Sequence, residues 1–415
     1  DANNALVGNG ISMVTLYYLR RFVDFFNSLL EKTDLISVEI SSELNKFFND
    51  IYFALNNNKN VINSSISDYD RKKIVDLLGT AGSDYRNKIY DNSFSGTKSA
   101  IGIKEIKELT QLLLKYIDQS INSNKRIDKL YHAYNLLTIN GDRLSVSYLP
   151  EMLEGQVAVL SSGYLSSKEN LEVLDALKSS KLYRDDQYSY ILYPNKNLGL
   201  FINKNTIPSS KVNESKLLMK LLNDGNQQIV SQDCEGEYHF NCDFNNANGL
   251  VSELNLLPNK YSEIVKDDYD KILQIFEEVF NHKEFTGRSG TFFGYEGLGS
   301  IYWHMVSKLS LAVLETTKKA ISEEDNAITG RFFDHYFEIL EGIGINKSPK
   351  IYGAFPTDPY SHTPAGKGAQ QPGMTGQVKE DVISRFGELG VEVNNGIISF
   401  SPEMLRDQEF LKTSE

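Results

Sequence analysis

Residues 11–35 (ISMVTLYYLRRFVDFFNSLLEKTDL) carry apolar side chains at three- and four-residue spacing, with Arg20, Arg21 and Asp24 on the wetter side. That spacing is how an α-helix buries one face. The same pattern returns at about 40–56, 68–78, 103–121 and 126–137. Asn-rich and Gly-containing stretches (NNNKN, GTAGSDYRN) read as the loops between. Helix–loop–helix alternation without a fixed period demands paired helices, as in a bundle or a helical toroid. A mainly α fold follows.

The middle of the chain departs from this pattern. Residues 148–162 and 169–179 again read as helices, but KLYRDDQYSYILYPNKNLGLFINKNTIP is rich in Tyr, Asn and Pro. It reads as extended chain or an insertion between helices. Helical spacing resumes at 213–224, 262–281 and 296–321, and 348–377 shows almost none. A short helix is expected at 378–387, then a hairpin, VEVNNGIISF, with Asn-Gly at its turn. A lone hairpin is marginal in water, so it is expected to open a larger β element over 391–415.

Composition excludes several function classes. With 415 residues, 40% apolar and 24% charged, the chain can bury a core of its own. The net charge of −12 repels phosphate backbones and anionic lipid, so neither nucleic acid nor a membrane surface is an expected partner. No run reaches the roughly 18–20 apolar residues of a membrane helix. Two cysteines, Cys234 and Cys242, are too few for a disulfide framework, and a cytoplasmic, reducing location is expected. The six histidines show no zinc-ligand spacing, so no metal is expected. There is neither a Gly-x-Ser-x-Gly elbow nor a Cys–His nucleophile pair. The chain opens at Asp1 without an initiator methionine, which reads as a processed product or a piece of a longer protein.

Three stretches are too polar and glycine-rich for core: DANNALVGNG at the amino terminus, GRSGTFFGYEGLGSIYWH at 287–304, and FPTDPYSHTPAGKGAQQPGMTGQVKED at 355–381. In the second, five glycines precede a helix, with Glu296, Tyr302 and His304 at its start. Such an approach is either a tight connector or a cradle of backbone N–H groups for an anion or sugar. In the third, Thr375-Gly376 precedes a helix. Thr375 there is either an N-cap or part of an oxyanion site. Asp358, Tyr360, His362, Gln370 and Gln371 are candidate sugar contacts or loop residues.

Taken together, these stretches resemble the catalytic domain of the inverting cellobiose and chitobiose phosphorylases and their larger β-glucan phosphorylase relatives. Asp1-Ala2-Asn3-Asn4 before a long helix is similar to the family's Asp-Trp-Asn-Asp motif. Residues 154–163 (EGQVAVLSSG) resemble its Ala-Gln-Ser-Trp-Ala-Val-Leu-Ser-Gly helix, and Gly299-Ser300-Ile301-Tyr302-Trp303-His304 its Gly-Gly-Gln-Tyr-Thr-His stretch. Met374-Thr375-Gly376-Gln377 resembles its Tyr-Thr-Gly-Ser, followed in order by Glu388-Leu389-Gly390-Val391 and Ser399-Phe400-Ser401-Pro402. The resemblance runs from residue 1 to about 402. It implies an (α/α)6 toroid over 1–390, incomplete in this chain, with 180–285 an insertion and 391–415 the start of a β-sandwich.

The resemblance also implies a reaction. Inverting phosphorolysis of β-gluco-oligosaccharides gives α-glucose 1-phosphate and a shortened acceptor. Asp1 would be the acid on the glycosidic oxygen. His304, Thr375, Gly376 and Gln377 would hold inorganic phosphate, which is a co-substrate, so no cofactor is expected. An upstream Arg would add to that phosphate site. Glu296, Tyr302, Asp358, Tyr360, Gln370 and Gln371 would line the sugar site. Expected partners are the oligosaccharide, phosphate, the preceding part of the same protein and a second copy in a homodimer. Glu296 keeps a rival open, because a second carboxylate is what an inverting hydrolase uses to activate water. The third reading is a carbohydrate-binding module without catalysis.

Overall fold

The computed structural model describes residues 10–195, 199–280, 299–372, 377–394 and 396–412. Of the described residues 57% are helical, and the sheets among them have only two or three strands, so the fold is mainly α. No helix among the described residues is long and apolar enough to cross a membrane. The chain divides into two compact units, one from Asp1–Asn195 with Gly297–Glu415, the other from Lys196–Glu296.

In the first unit, β1 (Gly10–Ser12) leads into α1 (Met13–Glu31), and Ser12 caps it by accepting from the Thr15 N–H. A hairpin-like pair, β2 (Ser37–Ser41) and β3 (Lys98–Gly102), brackets α2 (Ser42–Asn56) and α3 (Asp68–Asn92). Next come α4 (Ile103–Ser123), β4 (Tyr134–Asn140) and β5 (Arg143–Tyr148). β4 lies between β1 and β5 in an antiparallel sheet.

Two expectations from the sequence fail here. Residues 79–87 do not form a loop; α3 runs straight through them to Asn92. An added Cβ at Gly79 or Gly82 would meet nothing within 4 Å, so these glycines are tolerated rather than required. Glycine inside a helix costs about 1 kcal/mol relative to alanine. Gly79→Ala and Gly82→Ala are therefore each expected to stabilise the fold by about 1 kcal/mol in urea titrations. Residues 126–137 are not a helix either. Arg126 N–H donates to Leu130 O at 2.8 Å, Lys129 turns with φ +71°, and the chain enters β4. A short apolar run does not by itself separate strand from helix. The turn residues Gly141-Asp142, with Gly141 at φ +60°, settle it as a hairpin.

The core centres on α5 (Leu153–Leu160), where every residue but Glu154 is buried. A helix apolar on all sides belongs inside. It starts at 153 rather than 148 because Pro150 restrains the chain before it and Met152 stays extended. Gly155 lets it approach the 131–133 segment: a Cβ there would stand 3.0 Å from Tyr131 O. Gln156, wholly buried, accepts from Tyr131 N–H at 2.9 Å and donates to Tyr131 O at 2.8 Å and Met152 O at 2.9 Å. α1 packs on one side of α5, and α10, introduced below, on another. α6 (Ser167–Lys178) follows, opened by a Ser166–Glu169 capping box.

The second unit has its own core of Leu217, Leu218, Leu250, Tyr261, Ile272 and Phe276, among others. It is built from α7 (Lys216–Asn223), α8 (Ala247–Leu256), α9 (Ser262–Phe280) and a small hairpin, Val230–Gln232 with Tyr238–Phe240.

The first unit resumes with α10 (Trp303–Ser322), α11 (Asn326–Glu341) and α12 (Gln377–Glu388). α11 and α12 both pack on α10. Trp303, Phe332, Tyr336 and Tyr352 are fully buried among them. The expected hairpin is present as Val391–Asn394 paired with Ile397–Phe400, and its second strand is exposed throughout.

Candidate functional site

The start of α10 is held by a short antiparallel sheet. Ile301–Tyr302 pairs with Tyr360–Thr363, which pairs with Gln370–Pro372. Trp303 pins the helix start by donating from Nε1 to Thr363 Oγ1 at 2.9 Å. Arg184 ties the same strands by donating to Gly299 O at 3.1 Å and Thr363 O at 3.0 Å. Lys347 lies over the Trp303 ring, 4.7 Å from its centroid, and donates to Gln187 Oε1 at 3.2 Å. Burial lowers the Lys347 ammonium to about 8.

These supports fix His304 at the second position of α10. The Tyr302 hydroxyl stands 3.3 Å from His304 Nδ1. On the other side, Glu380 of α12 brings Oε2 to 3.5 Å from His304 Nε2. That separation is at the outer edge of hydrogen-bond reach. Both atoms are buried, and neither has a hydrogen-bond partner among the described residues. A buried donor and acceptor left unpaired cost about 1–3 kcal/mol each, so a few tenths of an ångström of closure between these two would be favourable. Burial, then the Lys308 charge, holds the His304 ring below its usual 6.5, with Glu380 pulling the other way. Burial also raises the Asp381 carboxyl, and the adjacent Glu380 charge adds to that rise.

Tyr302 stacks on His362, with centroids 4.9 Å apart and planes 14° apart. Ser361 Oγ donates to Gln371 O at 3.1 Å and Oε1 at 3.2 Å. Having given its proton there, it accepts from His362 Nδ1–H at 2.9 Å, which leaves Nε2 as the acceptor. Gln371 takes φ +58°, a left-handed conformation that costs about 1–2 kcal/mol in an L-residue. The Ser361 hydroxyl holds it there.

Of the residues singled out in the sequence, Tyr302, His304, Tyr360, Gln370 and Gln371 share this sheet and helix start. Gln370 pairs with His362, and Tyr360 meets Tyr352 edge-on at 6.0 Å. Asp358 is exposed on the preceding turn, and no hydrogen bond among the described residues joins its side chain to the others. Asp1, Glu296, Thr375 and Gly376 lie outside the described residues. Gln377 opens α12, and its side chain lies outside them too. Glu380 is the residue that sequence reasoning missed. It sits in VKED, which reads as an ordinary charged first turn of a helix. A cavity of about 600 Å³, lined in part by Arg21, Ser161, Asn170, Glu315 and Lys319, opens elsewhere. Glu315 lies eleven residues along α10 from His304, roughly 16 Å away at 1.5 Å per residue.

Three half-buried histidines set a pH response. His132, His304 and His362 are all held below 6.5, with burial the first cause in each. The unfolded chain then binds protons that the folded chain refuses. Their contribution to stability is complete above about pH 6.5 and is lost as pH falls through 6.5 towards the folded values. The urea midpoint is expected to fall between pH 7.5 and 5.5, and His362→Gln to flatten that slope. A midpoint indifferent to pH over this range would contradict it.

Residues 198–283 match a family model described as GH149 phosphorylase insertion domain 2. The match falls within the second compact unit. It supports a phosphorylase of the GH149 type and, with it, a carbohydrate-active enzyme. No curated protein matches the chain.

Proposed function

We propose that the chain performs inverting phosphorolysis of β-glucosidic oligosaccharides, giving α-glucose 1-phosphate and a shortened acceptor. The observation that carries the proposal is the phosphorylase insertion-domain match over 198–283. It sits between the sequence stretches that resemble the phosphorylase motifs. The resemblance also proposes the toroid, with phosphate entering from the His304 side.

In this reading the chain divides the work simply. Asp1 gives its proton to the glycosidic oxygen as the bond to the anomeric carbon breaks. Phosphate attacks from the opposite face and replaces the base-activated water of an inverting hydrolase. His304, Thr375, Gly376 and Gln377 hold the phosphate, with backbone N–H groups at the α12 start adding donors. The His304–Glu380 pair suits monohydrogen phosphate. The ring donates to an anionic oxygen, and Glu380 accepts the remaining P–O–H proton. A carboxylate repels an unprotonated phosphate oxygen, so Glu380 selects the orientation in which the P–O–H of monohydrogen phosphate faces it. Tyr302, Tyr360, Gln370, Gln371, Asp358 and Glu296 are the proposed sugar contacts.

Because each step reverses along the same path, the test is synthesis. The protein, given α-glucose 1-phosphate with β-1,2-, β-1,3- or β-1,4-linked diglucosides, is expected to release phosphate and lengthen one acceptor. Glu296→Gln is expected to keep that reaction. Hydrolysis of the diglucosides that Glu296→Gln abolishes, with no phosphate release, would assign an inverting hydrolase instead. Binding of the sugars without either reaction would leave a carbohydrate-binding module.

A further inference from the structure

The hairpin of the second unit gathers three metal-binding side chains that the function above does not use. Asp233, Glu237 and His239 each offer one ligand atom, and these atoms lie within 4.8 Å of one another. No zinc-like spacing stands out along the chain because a tight turn brings the ligands together. Asp233 N–H donates to Glu237 O at 2.9 Å and closes it. Asp233 Oδ1 accepts from the Glu235 and Glu237 N–H groups at 2.9 and 2.8 Å. One carboxylate oxygen is thus consumed by the turn, and Oδ2 is left facing His239 Nε2 at 3.0 Å.

The second observation lies outside the cluster. The other ring nitrogen, Nδ1, is hydrogen-bonded to the Asn205 carbonyl, which only accepts. Nδ1 therefore carries the ring hydrogen, and Nε2 is the nitrogen turned towards the carboxylates. Asn205 is itself fixed. It is buried, donates from Nδ2 to Phe240 O at 2.8 Å and accepts Phe240 N–H on Oδ1 at 3.0 Å. A histidine whose far nitrogen is held by a rigid backbone carbonyl is how proteins orient a metal ligand and fix its tautomer. At 3.0 Å a proton on Nε2 is donated to Asp233 Oδ2, and a divalent cation would take that proton's place.

We infer that Asp233, Glu237 and His239 form a site for a borderline divalent cation of the zinc class. One nitrogen and two carboxylate oxygens suit zinc better than magnesium or calcium, which prefer all-oxygen shells. Tetrahedral ligands at 2.0–2.1 Å from zinc stand roughly 3.3 Å apart. The 3.0 Å pair already meets that spacing, and the exposed Glu237 side chain swings in to complete it. The bound ion would clasp the hairpin turn to its second strand, with water in the fourth position.

The test is calorimetric titration of the whole chain with zinc chloride, with magnesium and calcium chlorides as comparisons. One zinc equivalent is expected to bind, undisturbed by millimolar magnesium or calcium. His239→Ala and Asp233→Asn are expected to weaken it at least tenfold. Asp233 also supports the turn, so Glu237→Gln is the decisive variant. Its side chain makes no contact that the turn depends on, and it should cost at least fivefold with the circular dichroism unchanged. Replacing Cys234 and Cys242 together with Ser should leave binding within threefold. The inference is overturned if no zinc binds, if His239→Ala and Glu237→Gln bind as well as the parent chain, or if the cysteine replacement abolishes binding.

Discussion

His304→Ala is expected to lower kcat/KM for phosphate by roughly 100-fold while leaving the oligosaccharide KM, at saturating phosphate, within about threefold. A hydrogen bond to a charged group is worth about 1.5–3 kcal/mol, or roughly 10–150-fold. A second loss adds to it. Glu380 is buried, and its Oε2 faces the ring at 3.5 Å. Removing the ring leaves that carboxylate facing the incoming anion with no donor between them. Part of the lost phosphate activity is therefore expected to return in His304→Ala/Glu380→Gln, where the repulsion is gone although the donor is still missing. A merely structural histidine would behave differently. Its loss would depress both substrates' kinetic constants alike, and the second substitution would restore nothing. Steady-state kinetics with each substrate varied in turn separates the two accounts.

Gly390→Ala is expected to be the most damaging single methyl group in the carboxy-terminal part of the chain, costing about 3–5 kcal/mol. Gly390 joins α12 to the following hairpin with φ +62°. A left-handed alanine alone costs about 1–2 kcal/mol. The added Cβ would also stand 1.8 Å from Ser401 O. That oxygen is on the backbone, and Ser401 N–H is itself bonded to Gly390 O at 2.9 Å, so neither side can yield separately. Gly396 is the internal control. It turns with φ +79°, but its Cβ would meet open space. Gly396→Ala should show only the conformational cost, about 1–2 kcal/mol. The damage at Gly390 reaches the site through α12, which carries Glu380. That helix lies so close to α10 that a Cβ at Gly387 would stand 2.2 Å from Leu314 Cδ2. Tyr336 anchors its far end by donating to Glu388 Oε1 at 2.5 Å. Urea midpoints for the two variants, read beside their phosphate KM, test both the ranking and the coupling. Equal losses at Gly390 and Gly396 would contradict it.

The mainly α character was legible wherever one helix face is buried and the other is wet. The 103–121, 169–179, 262–281 and 378–387 patterns reappear as α4, α6, α9 and α12 with ends shifted by a few residues. Periodicity failed where its physical premise failed. The 130–140 segment spends its apolar residues on a strand. Gly79 and Gly82 looked like punctuation, yet the helix runs through them, and a Cβ at either would meet open space. At the site, one helix start and its approach drew attention to Tyr302 and His304 because polar, glycine-rich chain before a helix is chemically unusual. Glu380 did not stand out, because its meaning depends on α12 lying against α10, a contact no local pattern encodes. Asp233, Glu237 and His239 were hidden for a related reason. The turn that gathers them is set by main-chain bonds to Asp233, and the orienting Asn205 is 34 residues before His239.

Phosphorolysis consumes phosphate, so dependence on phosphate separates it from hydrolysis. The protein would be incubated with β-1,2-, β-1,3- and β-1,4-linked gluco-oligosaccharides, with and without inorganic phosphate, and glucose 1-phosphate and free glucose measured in each. α-Glucose 1-phosphate is expected from one linkage only when phosphate is present, with no free glucose above background. Free glucose released at the same rate with or without phosphate, and no sugar phosphate, would contradict it.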